Sequence, residues 1–171
     1  MAIKIKTEQR GFALFIAVIF MSVMLTFGLA LGSLGYKQQI LASAAIESQY
    51  AFYAADAALE CALYADQQLN FFAHRSPRPS EAPRMMCDGI SATFPPAVPD
   101  GIVSWNNNQW VITTRLSLDS GMRCADITVY KPASASDTTY LFSQGYNVPC
   151  ATVAAPGDAR FSSRGLTVRY P

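Results

Sequence analysis

The chain has 171 residues, 13 basic and 12 acidic, for a net charge of +1. That length fits one domain with an appended segment rather than two full domains, and the balanced charge lacks the basic excess of a nucleic-acid-binding domain. Hydrophobic residues make up 51% of the chain, but the excess is gathered in one N-terminal run and the remainder has an ordinary soluble composition.

Residues 1–11, MAIKIKTEQRG, carry Lys4, Lys6 and Arg10 against Glu8. From Phe12 to Tyr36 there follow 25 residues without a charge. As a helix this run spans ~37 Å, more than the ~30 Å of a hydrocarbon core. Positive charge ahead of an apolar run is retained in the cytoplasm, so the expected orientation is N-in, C-out. A secretory signal has an apolar region of only ~7–15 residues before its cleavage site. Here the run is longer and leads straight into another helical pattern, which predicts a retained single-pass anchor. Gly28 and Gly32 form a small-xxx-small pair that permits close helix approach; equally, glycines here loosen a helix where it leaves the membrane.

From Gln38 to Gln68 there is neither proline nor glycine. Leu41, Ala44, Ala45, Phe52, Ala55, Leu59, Ala62 and Leu63 recur at helical spacing, with Gln39, Glu47, Gln49, Tyr53, Asp56, Glu60 and Gln67 opposite. The pattern predicts one helix over residues 12–68, ~85 Å long: a membrane or core half at 12–36 and an amphipathic half at 37–68. Gly28, Gly32, Ala44, Phe52, Ala55 and Leu59 are the predicted packing positions.

The short basic segment ending in Arg10-Gly11, followed by Phe12 and an apolar run, resembles the leader and helix start of type IV pilins. QYAFYAADAALECAL at 49–63 resembles the helix continuation of PilX-type minor pilins. The resemblance covers the first 68 residues; beyond them only SQGYN and RGLTVRYP echo the family. It implies cleavage by prepilin peptidase between Gly11 and Phe12 and N-methylation of Phe12. It also implies other pilins, the pilus assembly platform and the inner membrane as partners. The head would then be extracytoplasmic and the assembled form a surface filament, with a head ligand such as a surface or DNA left open. Major pilins carry Glu at the fifth mature position, and here that position is Ile16. The family's Glu is held to pair with a neighbouring subunit's amine. Ile16 is cheap to bury and pairs with nothing, which points to a minor, tip or priming subunit. The alternative reading is an uncleaved bitopic membrane protein with an extracytoplasmic binding or adhesion domain.

Residues 69–101 hold six of the ten prolines and are expected to form a long ordered loop. Strand signals follow over 102–171: IVSW (102–105), QWVITTRLSL (109–118), RCADITVYK (123–131), TYLFSQG (139–145) and GLTVRY (165–170), with Asn106–Asn108 as a hairpin turn. An antiparallel meander with one apolar face needs a cover, and the stripe at 41–63 supplies it. The expected fold class is α+β, a long N-terminal helix packed on a small antiparallel β-sheet head, as in pilins.

Cys61, Cys87, Cys124 and Cys150 form no CxxC, so zinc ligation is not expected. Four spread cysteines beyond a membrane segment point to two disulfides. Three connectivities exist. Cys61–Cys87 and Cys124–Cys150 are favoured, the first tying the proline-rich loop to the helix, the second resembling the C-terminal disulfide-bounded region of many pilins.

No catalytic motif is present, and neither a cofactor nor a metal is expected. His74, the one histidine, reads as a solvated loop residue. Asp119, Asp126, Asp137 and Asp158 lack calcium-loop spacing. Trp105, Trp110, Tyr130, Tyr140, Phe142 and Tyr146 are candidates for adhesion but read first as packing. Arg160, Arg164 and Arg169 read as solvated or singly paired.

Overall fold

The structure, a computed structural model, describes residues 10–74 and 76–171. The chain divides into two compact units, Met1–Ser43 and Ala44–Pro171. The helix α1 (Arg10–Gln67) runs unbroken from the first into the second. The described part of the first unit is helix alone. Its apolar side chains are exposed, Phe12, Leu14, Phe15 and Val18 among them, and the run is long and apolar enough to cross a membrane once.

The second unit is α+β. Five antiparallel strands lie in chain order: β3 (Ile102–Trp105), β4 (Gln109–Leu118), β5 (Arg123–Pro132), β6 (Thr139–Tyr146) and β7 (Ser163–Tyr170). The first three connections, at 106–108, 119–122 and 133–138, are short turns whose chemistry stops one strand and starts the next, while β6 and β7 are joined by a longer segment, 147–162. In the β3–β4 turn the Asn106 side-chain oxygen accepts from the N–H groups of Asn108 and Gln109 at 2.9 and 2.7 Å. In the β4–β5 turn Asp119, Ser120 and Gly121 all take positive φ.

One face of the sheet carries Trp110, Ile112, Thr114, Leu116 and Leu118, with Ile127, Val129, Leu141 and Ser143 beside them through the strand register. Against it α1 buries Ala54, Ala58, Ala62 and Ala65. The helix ends where Asn70 turns left-handed; the N–H of Asn70 bonds to the Asp66 carbonyl and that of Phe71 to the Ala65 carbonyl.

The proline-rich stretch is more ordered than a plain loop. It holds a two-stranded hairpin, β1 (Met86–Cys87) with β2 (Ile90–Ser91), closed by Asp88-Gly89 at φ 51° and 71°. Two positive φ values in succession suit an Asp-Gly pair. Ala82, Met85 and Ala92 from this stretch enter the core. A second unpredicted element, α2 (Cys150–Ala154), lies against β4 and β5. Two disulfides fasten these additions: Cys61–Cys87 ties the hairpin to α1, and Cys124–Cys150 ties α2 to β5.

The buried helix face differs from the predicted stripe. Ala55 and Ala62 are buried as expected, but Ala44 and Phe52, assigned to packing, are exposed and Leu59 is half-buried, while Ala51, Ala54 and Ala58 are buried in their place. The reason is distance. At Gly145 of β6 the sheet comes so close to α1 that an added Cβ would collide with the Ala51 carbonyl oxygen and the Ala55 backbone. Two residues away, Ser143 donates to the Ala55 carbonyl at 2.7 Å. A contact of backbone on backbone selects alanine, glycine and serine, and larger apolar side chains turn outward.

Candidate assembly and recognition surfaces

Gly11 and Phe12 lie in the first turn of α1, both exposed. The basic leader residues Lys4 and Lys6, with Glu8, lie outside the described residues. Ile16 is 41% exposed on the apolar run. Cβ atoms added at Gly28 or Gly32 would meet nothing within 4 Å, so among the described residues these glycines serve no contact. Ser22 and Thr26 do not interrupt the apolar surface: they return their hydroxyls to the carbonyls of Ile19 and Val23 at 2.8 Å.

Polar clusters in the second unit hold the sheet to its surroundings. Asp66, its side chain only 1% exposed, accepts from Lys131 Nζ through both oxygens at 2.8 and 2.7 Å, and from the Tyr170 hydroxyl. This joins the end of α1 to β5 and β7. Burial, then the hydrogen bond to Asp66, pushes the Tyr170 phenol well above its usual range. On the opposite face Arg115 makes a bidentate pair with Asp126, both bonds 2.7 Å, and the Tyr146 hydroxyl reaches the same carboxylate at 3.4 Å. The hydrogen bonds to Asp126 raise the Arg115 pKa, while burial first and Asp126 second raise that of Tyr146. At the surface Asp100 accepts from the Ile102 N–H and from Arg78, and those bonds hold its carboxyl below the ordinary value of 3.8.

Among the described residues of the second unit, two apolar surfaces stand open. One is an apolar groove of about 620 Å³ with Tyr50, Tyr53 and Tyr64 of α1 on one side, Met86 and Leu118 on the other, and the Cys61–Cys87 disulfide between. Arg123 stacks on Tyr50 at its edge, 4.4 Å from the ring centroid. The other is the sheet face turned away from α1, where Tyr130, Tyr140 and Phe142 stand exposed.

The six aromatics singled out from the sequence therefore separate. Trp110 is core, with Trp105 against it at 4.8 Å between centroids. Tyr146 packs edge-on to Phe161. Tyr130, Tyr140 and Phe142 are surface. His74 is not a solvated loop residue: it is half-buried and stacks on Trp105 at 5.1 Å. Arg164 bonds Ser48 Oγ at 2.7 Å, whereas Arg169, five residues on, points to the other face of β7. Arg164 and Arg169 thus do not share a patch. Among the described residues no three His, Cys, Asp or Glu side chains gather around a metal-sized space.

No known protein family, curated protein or solved structure matches this chain.

Proposed function

We propose that the protein is a non-catalytic, pilin-like filament subunit, of the minor, tip or priming kind. The observation that carries this reading is the composition of α1. Its first half is an uncharged run with apolar side chains exposed, directly after Arg10-Gly11. Its second half buries alanines against an antiparallel sheet. A helix of this kind has an owner for its upper face and needs one for its lower face. Lipid serves before assembly and neighbouring copies after it, because large apolar side chains without charge pack equally well on either. On this reading prepilin peptidase releases Phe12 as the new amino terminus, and the disulfide-bonded head stands outside the cytoplasm.

Ile16 gives the reading its finer grade. A shaft subunit's carboxylate at this position would be costly in an apolar core unless a neighbour's amine paired with it. A chain with Ile16 has nothing to offer that amine and fits the filament end, where no earlier subunit needs pairing. Immunogold labelling of filaments from a strain carrying an epitope-tagged head tests this. Label confined to filament ends is expected. Label spread evenly along shafts removes the tip assignment, and an envelope-bound protein that never enters filaments removes the subunit reading in favour of a bitopic binding protein.

A further inference from the structure

The sheet face turned away from α1 carries three aromatic rings in adjoining positions. Tyr130 of β5 lies opposite Tyr140 of β6, and Phe142 stands two residues further along β6. They are 39%, 42% and 37% exposed. With Gln109 and Thr167 they line a shallow depression of about 350 Å³, at the small end of the ~300–1,000 Å³ typical of small-molecule sites. Gly165 of β7 makes room for it: an added Cβ there would come within 3.2 Å of the Phe142 ring. The polar groups around this floor are free. The hydroxyls of Tyr130, Tyr140 and Thr167 and the amide of Gln109 have no hydrogen-bond partner among the described residues.

We infer that this depression binds a sugar ring of an uncharged glycan. A pyranose has one face of C–H groups and a rim of hydroxyls. Its C–H face suits the negative face of an aromatic ring, and its hydroxyls need donors and acceptors that are not already engaged. The depression offers both within one ring's reach. Phenols suit the task because they present rigid amphipathic area at little entropic cost. An aromatic platform on a sheet also stacks the bases of single-stranded nucleic acid, but such sites add a basic groove for the phosphates. Here Arg115 is committed to Asp126, Lys131 to Asp66 and Arg164 to Ser48. Among the described residues that leaves Arg169, opposite Tyr140, as the cation bordering the platform. One cation does not hold a polyanion.

The platform lies wholly in the head and is independent of leader processing. The full chain in lipid nanodiscs is tested by saturation-transfer NMR with cellobiose, lactose, maltose and N,N′-diacetylchitobiose as probes, and with a ten-residue oligothymidylate. Transfer to ring C–H protons of at least one disaccharide is expected, with affinity falling about tenfold in Tyr140→Ala, a loss of ~1.4 kcal/mol, and by less in Tyr130→Phe. Val103→Ala, on an exposed side chain of β3, leaves binding unchanged and reports on general damage. The inference is overturned by an absence of transfer to every disaccharide, by undiminished transfer in Tyr140→Ala, or by binding of the oligothymidylate alone.

Discussion

The two halves of α1 are built on opposite choices of side-chain size. Residues 12–36 expose phenylalanine, leucine, valine and methionine. Residues 51–65 bury alanine after alanine, and turn Phe52, Tyr53 and Tyr64 outward. Both are apolar at the places that matter, so hydrophobicity alone does not separate them. Size does, because the upper half meets a surface fixed by its own chain, where Gly145 lets the sheet close onto the helix backbone. On the proposed reading the lower half meets lipid and then neighbouring helices, and its larger side chains cover either without a fixed fit. The difference teaches that on this helix alanine marks the stretch where the head's own sheet closes onto the backbone.

That contrast makes the two halves separately breakable. The largest effect is expected at Asp66, which receives Lys131 and Tyr170 together. Asp66→Ala strands a partly buried ammonium and should cost about 3–5 kcal/mol, read as a lowered urea midpoint of the head. Met24→Lys should act on the other half alone. A lysine near the middle of the apolar run costs about 2.5–3.5 kcal/mol on insertion, so membrane-fraction yield falls while the urea midpoint of the remaining inserted protein stays put. If the midpoint also moved, the two halves would not be independent.

Gly145→Ala sharpens the size argument. It adds one methyl where α1 and β6 meet backbone to backbone, and about 1–3 kcal/mol of overpacking strain is expected. The nearest atoms the new methyl would meet are all backbone, at Ala51 and Ala55, so no neighbouring side chain can give way; an unchanged urea midpoint would show that the contact is looser than described. The smallest effect belongs to Tyr170→Phe, which removes one hydrogen bond to a carboxylate, worth about 1.5 kcal/mol. Its phenol is held neutral in the fold, with a pKa above the ordinary 10. The stability it contributes is therefore fully present below pH 10 and is lost as pH rises beyond that. Urea titrations should show wild type losing stability more steeply than Tyr170→Phe above pH 10.

Much of the head was legible because alternation and turn residues coincide. QWVITTRLSL alternates, and Asn106–Asn108 precedes it with a side chain ready to cap the turn. Strands of two residues carry no period, so β1 and β2 were hidden, though Asp88-Gly89 held a turn signal between them. The five residues of α2 were too few to show a helical pattern. The buried helix face was legible at Ala55 and Ala62 but was set to one side of its true centre, with Phe52, Leu59 and Leu63 in place of Ala51, Ala54, Ala58 and Ala65; Ser143 and Gly145 on the facing strand, read together with the alanines, carried the needed signal. The ion pair Arg115–Asp126 and the Asp66 cluster join residues 11 and 65 or more positions apart, and no local pattern announces a pair that depends on strand register. His74 on Trp105 was hidden because a loop residue's partner 31 positions away leaves no local pattern.

The reading of α1 as a processed filament helix stands most directly on its amino terminus. Intact-mass measurement of the protein recovered from the envelope of a host with prepilin peptidase is predicted to show loss of residues 1–11 and a chain beginning at Phe12, with a methyl group on its amine. A mature protein beginning at Met1 or Ala2 in that host would contradict the account and leave an uncleaved membrane protein in its place.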